Sequence, residues 1–367
     1  MENRLTNIMK KFSIDYSFII SDKTDDLKSD NIQQLTINDR LKYDDASYIA
    51  LKNVIQNKKE YVLLAGYKKN ISIINRLMWE CDNVITVVYL DMDNPYEVEE
   101  KTNMKDKLLW DVQAYRNSDK AAMSGWFNSY NYQQFSNEEI EEYIDNTVRK
   151  LSCYINTNSR VLEVGVGSGM FVERMAELCA RYDGCDISSV VLEKLQEELD
   201  SKNIGNVNLY NCSADEIDKL ESEYDIIFMN SVTEYFSGYN YLRKVVEKCI
   251  EKIDKKGVIM FADVFDLAKK ESYCNDIIRY SHGHPDCRNK KDFSHELFIP
   301  HEFWKDMANS LHGIKKVSIS DKLGILRNEI NMFRYDVIFE IDKDIVAKSN
   351  KQSLFKIQMC LDQVFCG

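Results

Sequence analysis

A glycine-rich segment in the middle of the chain follows an apolar run and contains Gly165, Gly167 and Gly169. Glycines let the backbone turn tightly and let a ligand approach where a side chain would clash. Glu163 comes just before the turn, and Asp186 closes the next apolar run. A carboxylate at the end of a second strand can accept hydrogen bonds from both hydroxyls of a ribose. The pattern therefore predicts a site for a ligand that contains adenosine.

The spacing of the glycines separates the possible adenosine ligands. A dinucleotide-binding turn prefers GxGxxG, with a pyrophosphate facing the helix N-terminus, whereas this chain has ExGxGxG followed by Met170. A P-loop is excluded because no Lys-Ser or Lys-Thr pair follows the glycines. Neither NAD nor a nucleoside triphosphate is favoured.

The elements that must position this turn belong to an alternating pattern. After residue 158, apolar runs of strand length alternate with amphipathic helices, which predicts parallel strands with crossover helices on both faces. The predicted strands cover residues 160–166, 181–187, 207–212, 224–229 and 257–264, followed by an antiparallel edge at 314–319 and 335–341. Before them, apolar residues at helical spacing predict a helix over 137–151 that Ser136 or Asn137 caps.

The domain organisation follows from changes of pattern. Residues 1–104 contain strand-like runs at 60–66 and 83–90 with a helical segment between them, but no glycine-rich phosphate loop. We predict a small α/β domain there that serves as a scaffold, a docking element or a dimerisation element. The main domain should cover residues 105–345, with a helical lead-in at 105–158 and a lid-like insertion at about 266–300, and 346–367 should form a C-terminal tail.

Composition excludes several classes of partner. The chain has 48 Lys and Arg against 60 Asp and Glu, a net charge of −12, which opposes binding to nucleic acid or to anionic lipid. No apolar stretch reaches the length of a membrane span, and the first residues do not resemble an export signal. The 10 cysteines are scattered without a CxxC pair, which predicts reduced thiols, no metal site and a cytoplasmic protein.

The pattern ExGxGxG with a later Asp resembles motifs I and II of class I S-adenosylmethionine-dependent methyltransferases. Segments 211–216 and 224–230 fit the third and fourth strand regions of the same family. The resemblance implies a Rossmann-like sheet of seven strands with helices on both faces, and S-adenosylmethionine as the cofactor. The residues that it implies for the cofactor site are Trp126, Tyr130, Glu163, Gly165, Gly167, Gly169, Asp186, Ile187, Ser213, Ala214, Asp215, Asn230 and Ser231.

A narrower resemblance covers about residues 105–342. Segments 125–130, 143–147, 230–236, 296–299 and 328–336 look like the methyltransferase domains of nonribosomal peptide synthetases and hybrid polyketide synthases. The resemblance implies methylation of an amine or hydroxyl, in that family on an intermediate tethered to a carrier protein. No carrier, adenylation or condensation signature flanks the domain, so a free small metabolite remains an alternative acceptor. A non-catalytic partner with the same fold is a second alternative, and a homodimer is possible.

Methyl transfer from a sulfonium requires alignment of acceptor, methyl and sulfur, and a base can help to remove the acceptor's proton. Residues near the carboxyl ends of the strands are the candidates, because open α/β sheets bind ligands there. The catalytic candidates are Glu234, Tyr235, His284 and Glu296. Each also has an alternative structural role: Glu234 in a surface salt bridge, Tyr235 as pocket wall, His284 in a polar turn, and Glu296 as a cap near Pro300.

Overall fold

The computed structural model describes residues 5–6, 9–10, 14–21, 30–36, 46–67, 70–81, 83–91, 108–290, 293, 296–345 and 357–360. Internal contacts divide the chain into two compact units. The smaller unit comprises Met1–Lys101, Gly238–Asn240 and Asn350–Gly367, and the larger unit comprises Thr102–Ser237 and Tyr241–Ser349. Within the described ranges, no helix is both long enough and apolar enough to cross a bilayer.

Seven strands form the sheet of the larger unit. They are β5 (Arg160–Val164), β6 (Arg181–Asp186), β7 (Val207–Asn211), β8 (Tyr224–Asn230), β9 (Ile253–Phe265), β10 (Ile314–Asp321) and β11 (Arg334–Asp342). They lie in the order β10-β11-β9-β8-β5-β6-β7. Strands β5 to β9 pair in parallel, whereas β11 is antiparallel to both of its neighbours. The predicted fold class is confirmed, including the antiparallel edge.

Helices connect these strands as the alternating pattern predicts. The helical segments are 108–116, Lys120–Met123, Asn137–Ser152, Val172–Ala176, Ser189–Ser201, Tyr239–Lys252, Lys270–Gly283, His301–Ser310 and Glu329–Phe333, with short 3₁₀ turns at Ala214–Lys219, Thr233–Tyr235 and Leu267–Lys269. Ser136 caps the helix that the sequence predicts over 137–151: its hydroxyl accepts from Glu139 N at 3.3 Å, and its own N–H donates to Glu139 Oε2 at 2.9 Å. The five-residue helix before β11 is absent from the prediction, because so short a segment shows no periodicity.

The central strands of this sheet are covered on both faces. Val161, Ile226, Phe228 and Met260 are buried in one core cluster together with residues of the flanking helices, such as Leu195. Truncating a fully buried Phe such as Phe228 to Ala costs about 3–5 kcal/mol, so this core resists distortion. It holds the carboxyl ends of β5, β6 and β8 in fixed positions, and the glycine-rich turn lies at that edge.

The smaller unit contains a five-stranded parallel sheet. Its strands are β1 (Tyr16–Ser21), β2 (Ile32–Thr36), β3 (Val62–Gly66), β4 (Val84–Tyr89) and β12 (Ile357–Cys360), in the order β12-β4-β3-β1-β2. Its longer described helices are Ala46–Gln56 and Ile71–Glu80. The two predicted strands and the helix between them are confirmed.

The last segment of the chain differs from the prediction. The sequence predicts residues 346–367 as a C-terminal tail, whereas Ile357–Cys360 forms the edge strand beside β4, with Ile357 opposite Thr86. Backbone pairing with a strand more than two hundred residues earlier decides this arrangement. A strand of four residues is too short for a periodic pattern, so the sequence does not predict it.

Candidate active site

The glycine-rich turn joins β5 to the following helix through left-handed backbone. Gly165, Gly167 and Gly169 have φ angles of +77°, +51° and +77°, a region that other residues rarely adopt. A Cβ on Gly165 would overlap Val232 Cγ2, and one on Gly167 would lie 2.9 Å from Ser124 Oγ. The first two glycines border a cavity. A Cβ on Gly169 would instead overlap a side chain of the packed helix, so this glycine serves packing.

Asp186 lies at the end of β6, beside the glycine turn. One carboxylate oxygen accepts from Gly167 N and the other from Ser188 N, both at 2.9 Å. Burial raises the pKa of Asp186, and the hydrogen bonds from these two N–H groups oppose the rise. The carboxylate is therefore fixed by backbone and faces the same cavity as Gly165 and Gly167.

The cavity at this sheet edge has a volume of about 140 Å³. Most of the residues that the sequence predicts for the cofactor line it, together with one catalytic candidate. They are Trp126, Glu163, Gly165, Gly167, Asp186, Ile187, Ser213, Ala214, Asn230, Ser231 and Tyr235. Sequence reasoning assigned no role to Trp110, Tyr143 or Cys212, which also line it. All three fall within the stretch of about residues 105–342 that resembles the family, but nothing in the spacing marks them as pocket residues.

Three predicted cofactor residues lie outside the lining, and one of these is the packing glycine, Gly169. The Asp215 carboxylate accepts hydrogen bonds from Lys244 Nζ at 3.0 Å and from Tyr241 OH at 2.9 Å. Burial pushes the pKa of Asp215 up, but hydrogen bonds from Ser213, Lys244 and Tyr241 outweigh it and the pKa is lowered. Tyr130 donates to Asp276 at 2.7 Å and holds the helix Lys270–Gly283.

Glu163 is the buried acid of the pocket. Its side chain faces the cavity, and Tyr182 OH donates to its carboxylate. Burial raises the pKa of Glu163 to about 8. A cationic group in the cavity would favour the ionised form of this carboxyl, so the residue fits the positively charged end of a ligand.

A family profile described as "Methyltransferase domain" matches residues 162–259, from the strand before the glycine turn to β9. The chain contains an S-adenosylmethionine-dependent methyltransferase domain. This agrees with the predicted family and cofactor, and the glycine cradle fits the nucleoside because any side chain at Gly165 or Gly167 would fill it. When bound, the cofactor supplies an electrophilic methyl group on a sulfonium.

Relatives of the methyltransferase domain are parts of much longer proteins. Chondramide synthase of Chondromyces crocatus is 24% identical over 229 residues, covering 60% of this chain and 6% of the synthase. A probable non-canonical nonribosomal peptide synthetase of Salinispora arenicola is 26% identical over 223 residues, covering 58% of this chain and 3% of that protein. The chain thus spans less than a tenth of the length of these relatives.

Among solved structures, the phosphoethanolamine N-methyltransferase 1 of Haemonchus contortus, in complex with phosphoethanolamine and S-adenosylhomocysteine, matches with a TM-score of 0.51 at 14% identity. The match covers 70% of this chain and 52% of that enzyme. It shows a shared fold.

The four catalytic candidates of the methyltransferase domain occupy different places. Tyr235 lines the cavity, where its ring meets Trp110 edge-on with centroids 4.9 Å apart. Glu234 is 3% exposed and lies outside the lining, with Arg334 Nη1 3.9 Å from its Oε1. Burial raises the pKa of Glu234 to about 8.

The other two candidates lie outside the cavity lining. His284 is exposed at the end of the helix Lys270–Gly283, where its ring stacks on Tyr280 with centroids 4.0 Å apart. Glu296 pairs with Lys290, and its second carboxylate oxygen is buried without a hydrogen-bond partner.

Leu297 N donates to the Glu234 carbonyl at 2.8 Å, and the charges of Glu234 and Glu296 add to burial in raising the pKa of Tyr235. The structure therefore brings Glu234, Tyr235 and Glu296 together, whereas His284 lies at an exposed helix end.

A chain of polar side chains runs along one wall of the cavity. Thr147 Oγ1 donates to Asn230 Oδ1 at 2.7 Å, and Asn230 Nδ2 donates to Tyr143 OH. Tyr143 OH lies 2.7 Å from Ser231 Oγ, which donates to Asp263 Oδ2. The sequence predicted Asn230 and Ser231 as cofactor contacts, but it did not mark Asp263, which follows an unbroken apolar run.

Proposed function

We propose that this protein transfers a methyl group from S-adenosylmethionine to a nitrogen or oxygen of a peptide or polyketide natural-product intermediate. One observation carries the proposal: a single cavity contains the glycine cradle and Asp186 as well as Ser231 and Tyr235, which follow β8. In-line displacement depends on holding the reacting atoms in a dry, aligned cleft. The aromatic rings of Trp110, Trp126 and Tyr143 supply such walls.

The acceptor class rests on the relatives of the domain. Both relatives described above are synthetases or synthases of which this domain is a small part, and one is named as a nonribosomal peptide synthetase. An acceptor held as a thioester on a carrier protein is the finer proposal. A freely diffusing metabolite, or a partner protein that binds the cofactor without turnover, are the outcomes against which it is tested.

The experiment compares three presentations of one aminoacyl group: loaded on a carrier protein, as an N-acetylcysteamine thioester, and as the free amino acid. S-adenosylhomocysteine formation and intact mass would be measured for each. We expect a gain of one methylene on the carrier-bound acceptor. Gain on the free compound alone would support a metabolite acceptor. Cofactor binding without turnover of the carrier-bound group, the thioester or the free amino acid would indicate a non-catalytic partner.

We also propose that the smaller unit acts as a scaffold, a docking element or a dimerisation element, and that the protein works in the cytoplasm. The described cysteines are free thiols, which suits a reducing compartment: Cys81, Cys153, Cys179, Cys185, Cys212, Cys249, Cys274 and Cys287. Light scattering of the full chain after size exclusion would test the dimer, since a monomeric mass across the concentration range would remove that role.

A further inference from the structure

Two neighbouring residues at the cavity edge have backbone that non-glycine residues seldom adopt. Ser231 follows β8 with φ +53°, and Asp263 lies near the end of β9 with φ +63°. Such conformations cost about 1–3 kcal/mol each and persist where the surroundings enforce them, often at functional sites. Here the two residues meet, because Ser231 Oγ donates to Asp263 Oδ2.

The hydrogen bonds around this pair all point in one direction. Ser231 donates its only hydroxyl hydrogen to Asp263. Tyr143 must therefore be the donor in the 2.7 Å contact with Ser231 Oγ. Asn230 Nδ2 in turn donates to Tyr143 OH. Every donor in the chain therefore leads to the Asp263 carboxylate.

Asp263 is fully buried, and cations offset the cost of burying its charge. Arg334 Nη1 donates to the same carboxylate oxygen as Ser231, and Lys322 Nζ lies 3.5 Å from the other oxygen. Further buried acids share these cations: Glu234 and Glu329 face Arg334, and Asp336 accepts from Lys322 at 3.1 Å. A carboxylate so enclosed can exchange a proton with the cavity only through a neighbour.

That neighbour is Ser231, which lines the cavity, whereas Asp263 does not. Ser231 Oγ accepts one hydrogen bond and donates one, so it retains a lone pair for a further donor. The buried acids and cations around Asp263 form an ion cluster of Asp263, Glu234, Glu329, Asp336, Lys322 and Arg334, none of which lines the cavity. A nucleophile in the cavity would therefore meet the Ser231 hydroxyl before any carboxylate of this ion cluster.

We propose that Ser231 and Asp263 together accept the proton of the methyl acceptor, an inference that rests on the proposed function. As the acceptor atom bonds to the methyl carbon, the bond from that carbon to sulfur breaks and sulfur keeps the electron pair. The acceptor's proton passes to Ser231 Oγ, and the serine's own proton passes to Asp263 Oδ2. Ser231 is the catalytic residue and Asp263 the positioning residue that receives the proton through it.

Ser231→Gly is the primary test. Glycine favours positive φ, so relief of backbone strain should offset the lost hydrogen bonds and keep the melting temperature of the protein close to that of wild type. The variant should bind S-adenosylhomocysteine within a few-fold of wild type by calorimetry. Turnover on the best aminoacyl N-acetylcysteamine thioester should fall by about 10²-fold or more, the usual contribution of a positioned base.

Asp263→Asn gives the second test, with Asp183→Asn as the control, since Asp183 is also a fully buried carboxylate, pairs with the cation Arg181 and lies outside the cavity lining. Both variants should lower the melting temperature because each removes a buried carboxylate that is paired with a cation. Only Asp263→Asn should abolish the solvent deuterium isotope effect on turnover, because only this variant removes the group that receives the proton from Ser231. If the role of Asp263 is purely structural, the two variants should show the same solvent deuterium isotope effect on turnover.

The outcomes separate the two proposals. If wild type binds S-adenosylhomocysteine but methylates no thioester, carrier-bound or free acceptor, the proposed function fails and the proton route fails with it. If wild type turns over and Ser231→Gly turns over equally well, the methyltransferase assignment stands and only the proton route is overturned.

Discussion

The carboxylate of Asp186 accepts a hydrogen bond from the backbone N–H of Gly167 at 2.9 Å, so the ends of two neighbouring strands are joined at the cavity. The carboxylate fixes the glycine turn, and the absence of side chains on the turn keeps the cavity open. The cavity proposed for the cofactor is therefore one coupled unit, and a change to either partner should affect cofactor binding.

Asp186→Ala should weaken binding of S-adenosylhomocysteine by about 2 kcal/mol or more, because it removes both the acceptor and the support of the turn. Isothermal titration calorimetry would measure this loss. Asp218→Asn serves as the control, since its side chain is 43% exposed on the short 3₁₀ segment Ala214–Lys219 and outside the cavity lining. An unchanged affinity in Asp186→Ala would contradict the assigned pocket.

Gly165→Ala should destabilise the domain by about 1–3 kcal/mol, because it combines a strained φ with an overlap against Val232. Cofactor affinity should fall as well. Gly205→Ala is the matched control, since no atom lies within 4 Å of the Cβ that it would add. Chemical denaturation would compare the two variants, and equal stability would show that the turn tolerates a side chain.

The stability of the folded protein should depend on the protonation of Glu163. Burial raises the pKa of this carboxyl to about 8 from an ordinary value of 4.5, so the folded state binds more protons than the unfolded state between these values. Its contribution to stability is complete below about pH 4.5 and is lost as the pH rises toward 8. Chemical denaturation at several pH values in this range should give a free energy of unfolding that changes less steeply with pH for Glu163→Gln than for wild type.

Glu302→Gln is the control for this prediction, because Glu302 is 62% exposed. Part of the change in the free energy of unfolding with pH should remain in Glu163→Gln, since burial also raises the pKa of Glu234 to about 8. Identical slopes in wild type and Glu163→Gln would mean that Glu163 is ionised in the folded protein.

Glu234→Gln should leave the affinity for S-adenosylhomocysteine unchanged, because Glu234 does not line the cavity. Turnover should fall less in Glu234→Gln than in Ser231→Gly, because Glu234 contacts Arg334 and is connected to the cavity only through the other residues of the ion cluster. Steady-state kinetics with the same thioester would rank the two variants. A larger loss in Glu234→Gln would identify this carboxyl as the base in place of the serine.

Local pattern was sufficient for the framework of the larger unit. Its strands are long apolar runs closed by polar residues, and its lead-in helix has both apolar spacing and the cap Ser136, so period and capping predicted them directly. The glycine turn and Asp186 were also predictable, because each lies at a strand end whose position follows from the parallel sheet.

Tertiary structure decided which side chains form the polar wall of the cavity. Tyr143 comes from a helix, Ser231 from the end of β8 and Asp263 from β9, and they meet only because the sheet order places β8 beside β9. Tyr130 and Asp215, which the sequence predicts at the cofactor, contact Asp276 and Lys244 and lie outside the cavity lining.

The sequence by itself determined the alternating fold, the glycine turn and the position of Asp186 at a strand end, because these depend on neighbours in the chain. Tertiary structure alone decided the edge strand Ile357–Cys360, the burial of Glu234 and the pairing of Ser231 with Asp263. The physical reason is that burial and long-range hydrogen bonds depend on which elements pack together, and a residue's own neighbours in sequence do not specify this.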